Sequence, residues 1–179
     1  IQHSLKFAGI KAGVTTSPHL ISWCERIQVD GRHITPQEFR RRLIALQPLA
    51  KKHQLTPFEL VVATAFDHFA DHQVEILVLE VGLGGRLDAT TAHPLRPIIA
   101  IGGIGLDHCK YLGSTLKSIA KEKAAVITKG SKIISASQHP DVTQIIEETA
   151  KKQNAEVQWV SPTPPEWSLG IKGEVQRKN

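Results

Sequence analysis

Cysteine is nearly absent from this sequence. The two cysteines, Cys24 and Cys109, lie far apart and outside any spacing that metal-binding motifs use. This scarcity excludes a disulfide framework and favours a reducing, cytoplasmic setting. We expect Cys109 to be a small buried or loop residue rather than a nucleophile, because nothing near it in the sequence suggests an acyl-transfer site.

Long apolar runs and methionine are also missing. No apolar run approaches the length of about 18 residues that a membrane span requires, and no signal peptide is recognisable. We therefore expect no membrane partner. The 179 residues contain no methionine at all, so the sequence as written does not begin at a natural start, and we expect it to be a fragment.

Basic residues are in moderate excess. The 22 Lys and Arg residues against 17 Asp and Glu residues give a formal charge of +5, which is compatible with anionic ligands such as nucleotides. The basic residues are scattered along the chain, which disfavours a nucleic-acid partner. The densest cluster, residues 40–42 (RRR), falls on a predicted helix and is expected to form a solvated face.

Helical and strand patterns alternate along the chain. Thr35 and Thr56 each precede a proline, which is a helix-start signal, and an Asp30-Gly31 pair predicts a hairpin at 24–34. The other predicted elements are helices at about 1–8, 114–128 and 140–153, and strands at 11–16, 75–81, 98–104, 132–136 and 155–160. This alternation predicts an α/β fold with a mostly parallel sheet flanked by helices.

A single domain is expected from the length and composition. A chain of 179 residues that is 41% hydrophobic can bury one core. The predicted elements end at residue 160. Residues 161–179 form a proline-rich, polar tail, which we interpret as an incomplete continuation of the same domain.

Two glycine-rich segments follow predicted strands. Residues 79–90 (LEVGLGGRLDAT) place Glu80 at the end of one strand, and residues 105–108 (GLDH) place His108 after the next strand along the chain. Open α/β sheets bind their ligands at the carboxyl ends of the strands. Glu80 and His108 are therefore candidates for a metal or phosphate site.

Each candidate also has an ordinary structural explanation. Glu80 could be a plain strand-end carboxylate, Ser17 before Pro18 a turn residue, and Phe58 a core residue. Lys123 could lie on a solvated helix face. Two histidines of a further predicted helix, 68 and 72, have a spacing able to share a metal, but no third ligand accompanies them, so we expect both to face solvent.

Five motifs, in order along residues 5–160, resemble the folylpolyglutamate synthase and dihydrofolate synthase family of the Mur ligase superfamily. They are residues 16–20 (TSPHL) with 25–27 (ERI), 56–59 (TPFE), 80–90 (EVGLGGRLDAT), 105–108 (GLDH) with 112–113 (LG), and 119–124 (IAKEKA). The resemblance implies most of a P-loop NTPase-like, ATP-binding central domain, truncated at both ends. The family's phosphate loop and C-terminal domain are not in this sequence.

The resemblance implies an ATP- and Mg²⁺-dependent ligase that adds L-glutamate to dihydropteroate, to tetrahydrofolate, or to both, through an acyl phosphate. The implied partners are these small molecules, with no nucleic acid or membrane, and the implied state is a monomer. We expect the 179 residues alone to be inactive. Two alternatives stay open: another Mur ligase acting on a peptidoglycan precursor, and a non-catalytic remnant.

The resemblance also assigns residues to roles. Ser17, Glu80 and His108 would bind Mg²⁺ and converge on one cation, while His108 and Lys123 would be catalytic. Lys123 matches a lysine that related ligases carry as a carbamate. The residues implied for binding the pteroate-like substrate are Thr56, Pro57, Phe58, Glu59, Leu87, Asp88 and Ala89. The residues that bind the nucleotide phosphates are unknown, because the phosphate loop is not in this sequence.

Overall fold

The computed structural model describes residues 1–170, which divide into two units. The first unit comprises Ile1–Leu83 and Asp88–Ala92, and the second comprises Gly84–Leu87 and the chain from His93 onwards. Within residues 1–170, no helix combines the length and the apolar character that crossing a bilayer would demand.

A four-stranded sheet forms the centre of the first unit. Its strands are β1 (Ala12–Thr15), β2 (Ile27–Val29), β3 (Arg32–His33) and β4 (Ile76–Leu79), in the order β3-β2-β1-β4. β2 pairs antiparallel with β1 and β3, whereas β4 pairs parallel with β1. The predicted hairpin turn is confirmed, since Asp30 and Gly31 both have positive φ, at 50° and 79°.

Three α-helices accompany this sheet: α1 (Gln2–Phe7), α2 (Pro36–His53) and α3 (Pro57–Asp71). Both predicted helix starts are confirmed, because the hydroxyl groups of Thr35 and Thr56 accept backbone N–H groups of the first turn. α2 packs against α3. The core residues come from α3, from β2 and from the segments around β2: Cys24, Ile27, Val29, Ile34, Val61, Ala65 and Phe69.

The 3-10 helix Trp23–Arg26 precedes β2. The sequence predicted that the hairpin would extend back to residue 24, but these residues form a helical turn instead. Ser22 explains the difference, because its hydroxyl oxygen accepts the N–H of Cys24 in the turn, while the Glu25 carboxylate accepts the N–H of Ser22.

Arg42 corrects the prediction that residues 40–42 form a solvated face. Arg40 and Arg41 are exposed, but Arg42 is only 2% exposed. Its guanidinium donates to Glu38 on α2, at 2.8 Å from Nε, and to Asp67 and Asp71 on α3. The planar fork of donors lets one buried cation satisfy three carboxylates and join the two helices.

His68 corrects the prediction that the histidines of α3 face solvent. It is 5% exposed, and its Nδ1 has no hydrogen-bond partner within residues 1–170. The ring of the partly buried His72 lies 4.1 Å away, centroid to centroid. Burial lowers the pKa of His68 from 6.5 to about 4, so the imidazole is neutral at pH 7.

The second unit is built on a parallel sheet. Strands β5 (Ile98–Ile101), β6 (Lys132–Ala136) and β7 (Glu156–Val160) lie in the order β5-β6-β7. Its helices are α4 (Cys109–Leu112), α5 (Leu116–Ala124) and α6 (Pro140–Lys152), and α5 packs against α6. The predicted fold class, parallel strands flanked by helices, is confirmed.

Cys109 is the first residue of α4, a short helix that the sequence did not predict. The expectation of a buried or loop cysteine is wrong, since Cys109 is exposed and lies in a helix. α5 is also shorter than predicted and ends at Ala124.

No helix or strand occurs in residues 161–170. The rest of the predicted tail, 171–179, lies outside the described residues. The boundary at residue 160 between domain and tail therefore stays a prediction.

Replacement of Arg42 tests the buried cation. Arg42→Ala removes charge-assisted hydrogen bonds to three carboxylates, and we expect the free energy of unfolding to fall by about 2 kcal/mol. Arg41→Ala is the control, because Arg41 also contacts Glu38 but its side chain is 62% exposed. The control should leave the stability nearly unchanged, because solvent screens an exposed ion pair. Urea unfolding measures both, and equal losses would contradict the assignment.

His68 predicts a specific dependence of stability on pH. The unfolded state binds a proton at an ordinary pKa near 6.5 and the folded state only near 4, so stability falls as the pH drops through this window. We expect the loss between pH 7 and pH 5 to be about 2 kcal/mol smaller in His68→Phe. Exposed His33 supplies the control, His33→Phe, which should lose as much as the unsubstituted protein. Parallel pH profiles for all three proteins would rule out His68 as the cause.

Candidate functional site

Ser17 and Glu80 meet at one edge of the first unit's sheet. β1 and β4 pair in parallel with Thr15 opposite Leu79, so the residues that follow both strands emerge side by side. The backbone N–H of Ser17 donates to Oε2 of Glu80 at 2.7 Å, and the N–H of Glu80 donates to the carbonyl of Thr15 at 3.2 Å. The Ser17–Pro18 peptide bond is cis. The structure thus brings together two of the three predicted metal ligands.

The donor atoms of this pair suit a hard cation. Within the described residues, Oε1 of the exposed Glu80 and the hydroxyl of Ser17 make no hydrogen bond. Mg²⁺ prefers oxygen ligands and keeps several waters, so a carboxylate and a hydroxyl fit its requirements. Among residues 1–170 no group of three or more His, Cys, Asp or Glu side chains forms a metal site by itself.

A cleft lies beside the pair, between the ends of β1 and β4 and the first turns of α3. Its free volume is about 230 Å³, which includes space open to solvent. The residues that line it are Thr15, Thr16, Ser17, Arg26, Phe58, Val61, Val62, Ala65 and Glu80. One predicted substrate residue, Phe58, therefore shares a cleft with both candidate metal ligands.

The absence of a side chain at Gly82 leaves space for the Phe58 ring. A Cβ atom at position 82 would lie 2.6 Å from Cζ of Phe58, closer than real contacts allow. Only glycine lets the strand end approach the ring this closely. Phe58 is half-buried. The sequence left open whether Phe58 is a core residue or a ligand contact, and a half-buried ring is compatible with both.

Thr56, Pro57 and Glu59 have a structural explanation in the helix start. The N–H of Glu59 donates to Oγ1 of Thr56 at 3.3 Å, and the N–H of Thr56 donates to Oε2 of Glu59 at 2.7 Å. The second bond lowers the pKa of Glu59. This capping box, with Pro57 as the first helical residue, fixes the turn that carries Phe58.

Asp88 is buried and fully hydrogen-bonded. Its Oδ2 accepts from the N–H groups of Gly82 and Leu83, at 2.9 and 3.0 Å. Its Oδ1 accepts from the N–H of Thr90 at 2.9 Å and from the hydroxyl of Thr90 at 2.6 Å. A carboxylate offers about four acceptor positions, and all are used here. Asp88 therefore organises the glycine-rich segment, and a substrate amino group would have to share an occupied oxygen.

Lys123 and the loop Gly84–Leu87 belong to the second unit. Arg86 donates to both carboxylate oxygens of Glu122 on α5, at 3.0 and 3.2 Å, and its N–H donates to the Glu122 carbonyl. Gly85, at φ +154°, lies against the α5 backbone, where a Cβ would be 2.9 Å from the Glu122 carbonyl oxygen. The loop is thereby fixed next to Lys123.

Lys123 itself is partly buried, and within residues 1–170 its amine has no ion pair. Two predicted substrate residues differ in exposure: Leu87 of the second unit is 80% exposed, while Ala89 of the first is partly buried. Nothing in these environments assigns either residue a ligand contact.

His108 also lies in the second unit, immediately before α4. It has a left-handed backbone, with φ at 50°, and its half-exposed side chain places Nε2 3.6 Å from Oδ2 of Asp107. Ser17 and Glu80 belong to the first unit. Convergence of His108 with them on one cation therefore stays a prediction.

Glu25 belongs to one of the sequence motifs, but the sequence analysis gave it no role. Its carboxylate accepts the backbone N–H groups of Leu20, Ile21 and Ser22. The available signal was the spacing of Ser22 and Glu25, which matches a capping box. Interpreted as a capping box, this spacing would have predicted a helical turn and an ordered loop before β2.

Comparison with known proteins places the chain in a family, although no protein-family profile matches it. It is 37% identical over 166 residues to the dihydrofolate synthase/folylpolyglutamate synthase of Bacillus subtilis, covering 88% of this chain and 38% of that protein. It is 38% identical over 151 residues to the dihydrofolate synthetase of Saccharomyces cerevisiae, covering 81% and 35%.

Solved structures agree with the sequence comparison. Folylpolyglutamate synthase of Mycobacterium tuberculosis, complexed with ADP and AMPPCP, superimposes with a TM-score of 0.86 at 31% identity, covering 94% of this chain and 42% of that one. FolC of E. coli, in complex with DHPP and ADP, gives a TM-score of 0.82 at 32% identity, covering 88% and 37%.

The strand ends, the glycine-rich segments and these similarities define an α/β chain related to the synthases named above. The chain belongs to the folylpolyglutamate synthase and dihydrofolate synthase family, as its five motifs predicted. It spans 38% and 35% of the lengths of the two curated relatives.

Asp88→Asn separates a structural role from substrate binding. The amide nitrogen cannot accept, so at least one of the donors at Gly82, Leu83 and Thr90 loses its partner. We expect thermal unfolding to reveal a loss of about 2 kcal/mol. Asp141→Asn, at a half-exposed carboxylate paired with Lys117, should be nearly neutral. Unchanged stability in Asp88→Asn would contradict the structural role.

Proposed function

We propose that the protein is an ATP-dependent ligase that joins L-glutamate to dihydropteroate or to tetrahydrofolate. Membership of the family supports the class of reaction, and relatives of known structure are complexed with ADP, AMPPCP or DHPP. The observation that carries the proposal is the contact of Ser17 with Glu80, beside a cleft that Phe58 lines.

Ser17, Glu80 and His108 would hold Mg²⁺ in this proposal. The oxygens of Ser17 and Glu80 are of the kind that Mg²⁺ prefers, and His108 is the third residue that the family resemblance implies. The ion would offset the repulsion between the nucleotide phosphates and the substrate carboxylate, which must come close for the phosphoryl group to be transferred. The product of that transfer is an acyl phosphate, from which the amine of glutamate displaces phosphate.

The side chains of the first unit would orient the substrate. The flat face of Phe58 could stack on a heterocycle, as aromatic pairs do in offset arrangements. The capping box of Thr56 and Glu59 would keep that ring in place, and Asp88 would hold the strand end against it. Glu80 would keep one oxygen on the Ser17 N–H and leave the other for ligation.

Lys123 would act after reaction with carbon dioxide. Lys123 is partly buried, and its backbone carbonyl lies next to Gly85 of the fixed loop Gly84–Leu87. A carbamate would form when the neutral amine reacts with carbon dioxide and releases a proton. The carbamate is an anion, so the side chain would then attract a cation instead of repelling it. We further propose a monomeric, cytoplasmic protein, on the family resemblance and on the scarcity of cysteine.

Glutamate-dependent release of ADP by the full-length protein tests the function. We expect release with dihydropteroate, tetrahydrofolate or both, and a loss of about 100-fold or more in kcat/KM for Glu80→Gln and Lys123→Ala. The matched controls are Glu75→Gln, just before β4, and Lys121→Ala, exposed on α5; both should stay close to normal.

Several outcomes would contradict the proposal. Absence of release with both folate substrates argues against the function, and turnover of a nucleotide-linked muramyl precursor would instead indicate a peptidoglycan ligase. Near-normal turnover in Lys123→Ala would remove that residue from the mechanism.

A further inference from the structure

The loop of residues 17–22 is ordered without a core of its own. It contains no helix or strand, and its two aliphatic side chains, Leu20 and Ile21, are 92% and 93% exposed. A segment that buries so little apolar surface gains almost nothing from packing to offset its conformational entropy. Hydrogen bonds must therefore hold it.

The Glu25 carboxylate supplies these bonds at the far end of the loop. Oε2 accepts the N–H of Leu20 at 2.8 Å, while Oε1 accepts the N–H groups of Ile21 and Ser22 at 2.9 and 2.6 Å. The bond from Leu20, together with the others, lowers the pKa of Glu25. Hydrogen bonds to an ionised acceptor are about twice as strong as neutral ones. One side chain thus fixes three consecutive peptide groups.

The near end of the loop is fixed by the backbone of the same turn. The N–H of Thr16 donates to the carbonyl of Arg26 at 3.2 Å, and the Thr16 hydroxyl donates to the carbonyl of Glu25 at 3.3 Å. The side-chain amide of Gln28 donates to the Glu25 carbonyl at 3.0 Å. Glu25 therefore contributes to both ends, and Ser17 lies between them.

His19 in the middle of the loop also contacts Trp23 and Arg26 of the 3-10 helix. Nε of Arg26 donates to Nδ1 of His19 at 2.8 Å, and the guanidinium lies 4.6 Å from the ring centroid of Trp23. The His19 ring is also 4.6 Å from that of Trp23. These contacts join the middle of the loop to the 3-10 helix that carries Glu25.

We infer that Glu25 is a positioning residue, whose carboxylate folds the loop of residues 17–22 so that Ser17 is presented to Glu80. This inference rests on the proposed ligase function, in which Ser17 and Glu80 hold Mg²⁺. Glu25 accepts the N–H groups of residues 20–22 and would not itself bind the ion. Its effect on the ion would come through the position of Ser17.

The inference depends on the chemistry of a carboxylate with the reach of glutamate. In Glu25→Gln, the amide nitrogen replaces one accepting oxygen and directs N–H groups at backbone N–H groups. In Glu25→Asp the charge remains, but the side chain is shorter by one methylene and cannot reach all three peptides. Comparison of the two variants thus distinguishes the effect of the negative charge from the effect of side-chain length.

Hydrogen exchange in the full-length protein is the first test. In Glu25→Gln we expect the amides of residues 20–22 to exchange about tenfold faster or more, with an intermediate effect in Glu25→Asp. Glu75→Gln is the matched control, because Glu75 also accepts a backbone N–H, from Lys11 at 2.8 Å, at a site outside this loop. The control should leave residues 20–22 unchanged.

The magnesium dependence of glutamate-dependent ADP release is the second test. For a positioning role, Glu25→Gln should raise the magnesium concentration for half-maximal activity about fivefold or more and keep kcat at saturating magnesium within about twofold. A purely structural loss would lower the active fraction and leave the magnesium midpoint in place. If Glu25→Gln does not fold, Glu25→Asp carries both measurements.

The possible failures are distinguishable. Unchanged exchange at residues 20–22, or faster exchange with an unaltered magnesium midpoint, overturns the role of Glu25 while the ligase function stands. No ADP release by the unsubstituted protein overturns the proposed function, and the role of Glu25 in it, before any variant is measured.

Discussion

Parallel pairing of β1 with β4 is the constraint on which the site of the first unit depends. The register sets Thr15 opposite Leu79, so two residues that are 63 positions apart in sequence, Ser17 and Glu80, emerge at the same edge. A slip of one residue would turn the side chains of β4 to the opposite face. The contact between the two proposed metal ligands thus depends on the register of the strands.

Local signals made much of the fold predictable. The caps at Thr35 and Thr56 and the Asp30-Gly31 turn act over a few residues, so a reader of the sequence can recognise them directly. The order β3-β2-β1-β4 could not be read in this way, because it depends on which strands find each other across the chain. The contact between Ser17 and Glu80 followed from the family's motifs rather than from any local pattern.

The burial of polar side chains could not be predicted from the sequence. Arg42 is in a run of arginines, and only Asp67 and Asp71, at separations of 25 and 29 residues, make its burial favourable. Asp88 likewise looked available for a ligand, yet donors from both sides of the glycine-rich segment occupy it. Thr56 and Glu59 are engaged with each other. A motif therefore identified important positions without distinguishing contact with substrate from support of the fold.

α3 joins two regions that differ in character. Phe58 borders the cleft in its first turn, whereas His68 and two of the three carboxylates that hold Arg42, Asp67 and Asp71, lie in its last turns. The helix has 15 residues, which corresponds to a length of about 22 Å. Its first turn contributes to the wall of the cleft, and its last turns carry the contacts that bury Arg42. One element therefore serves both the candidate site and the junction between α2 and α3.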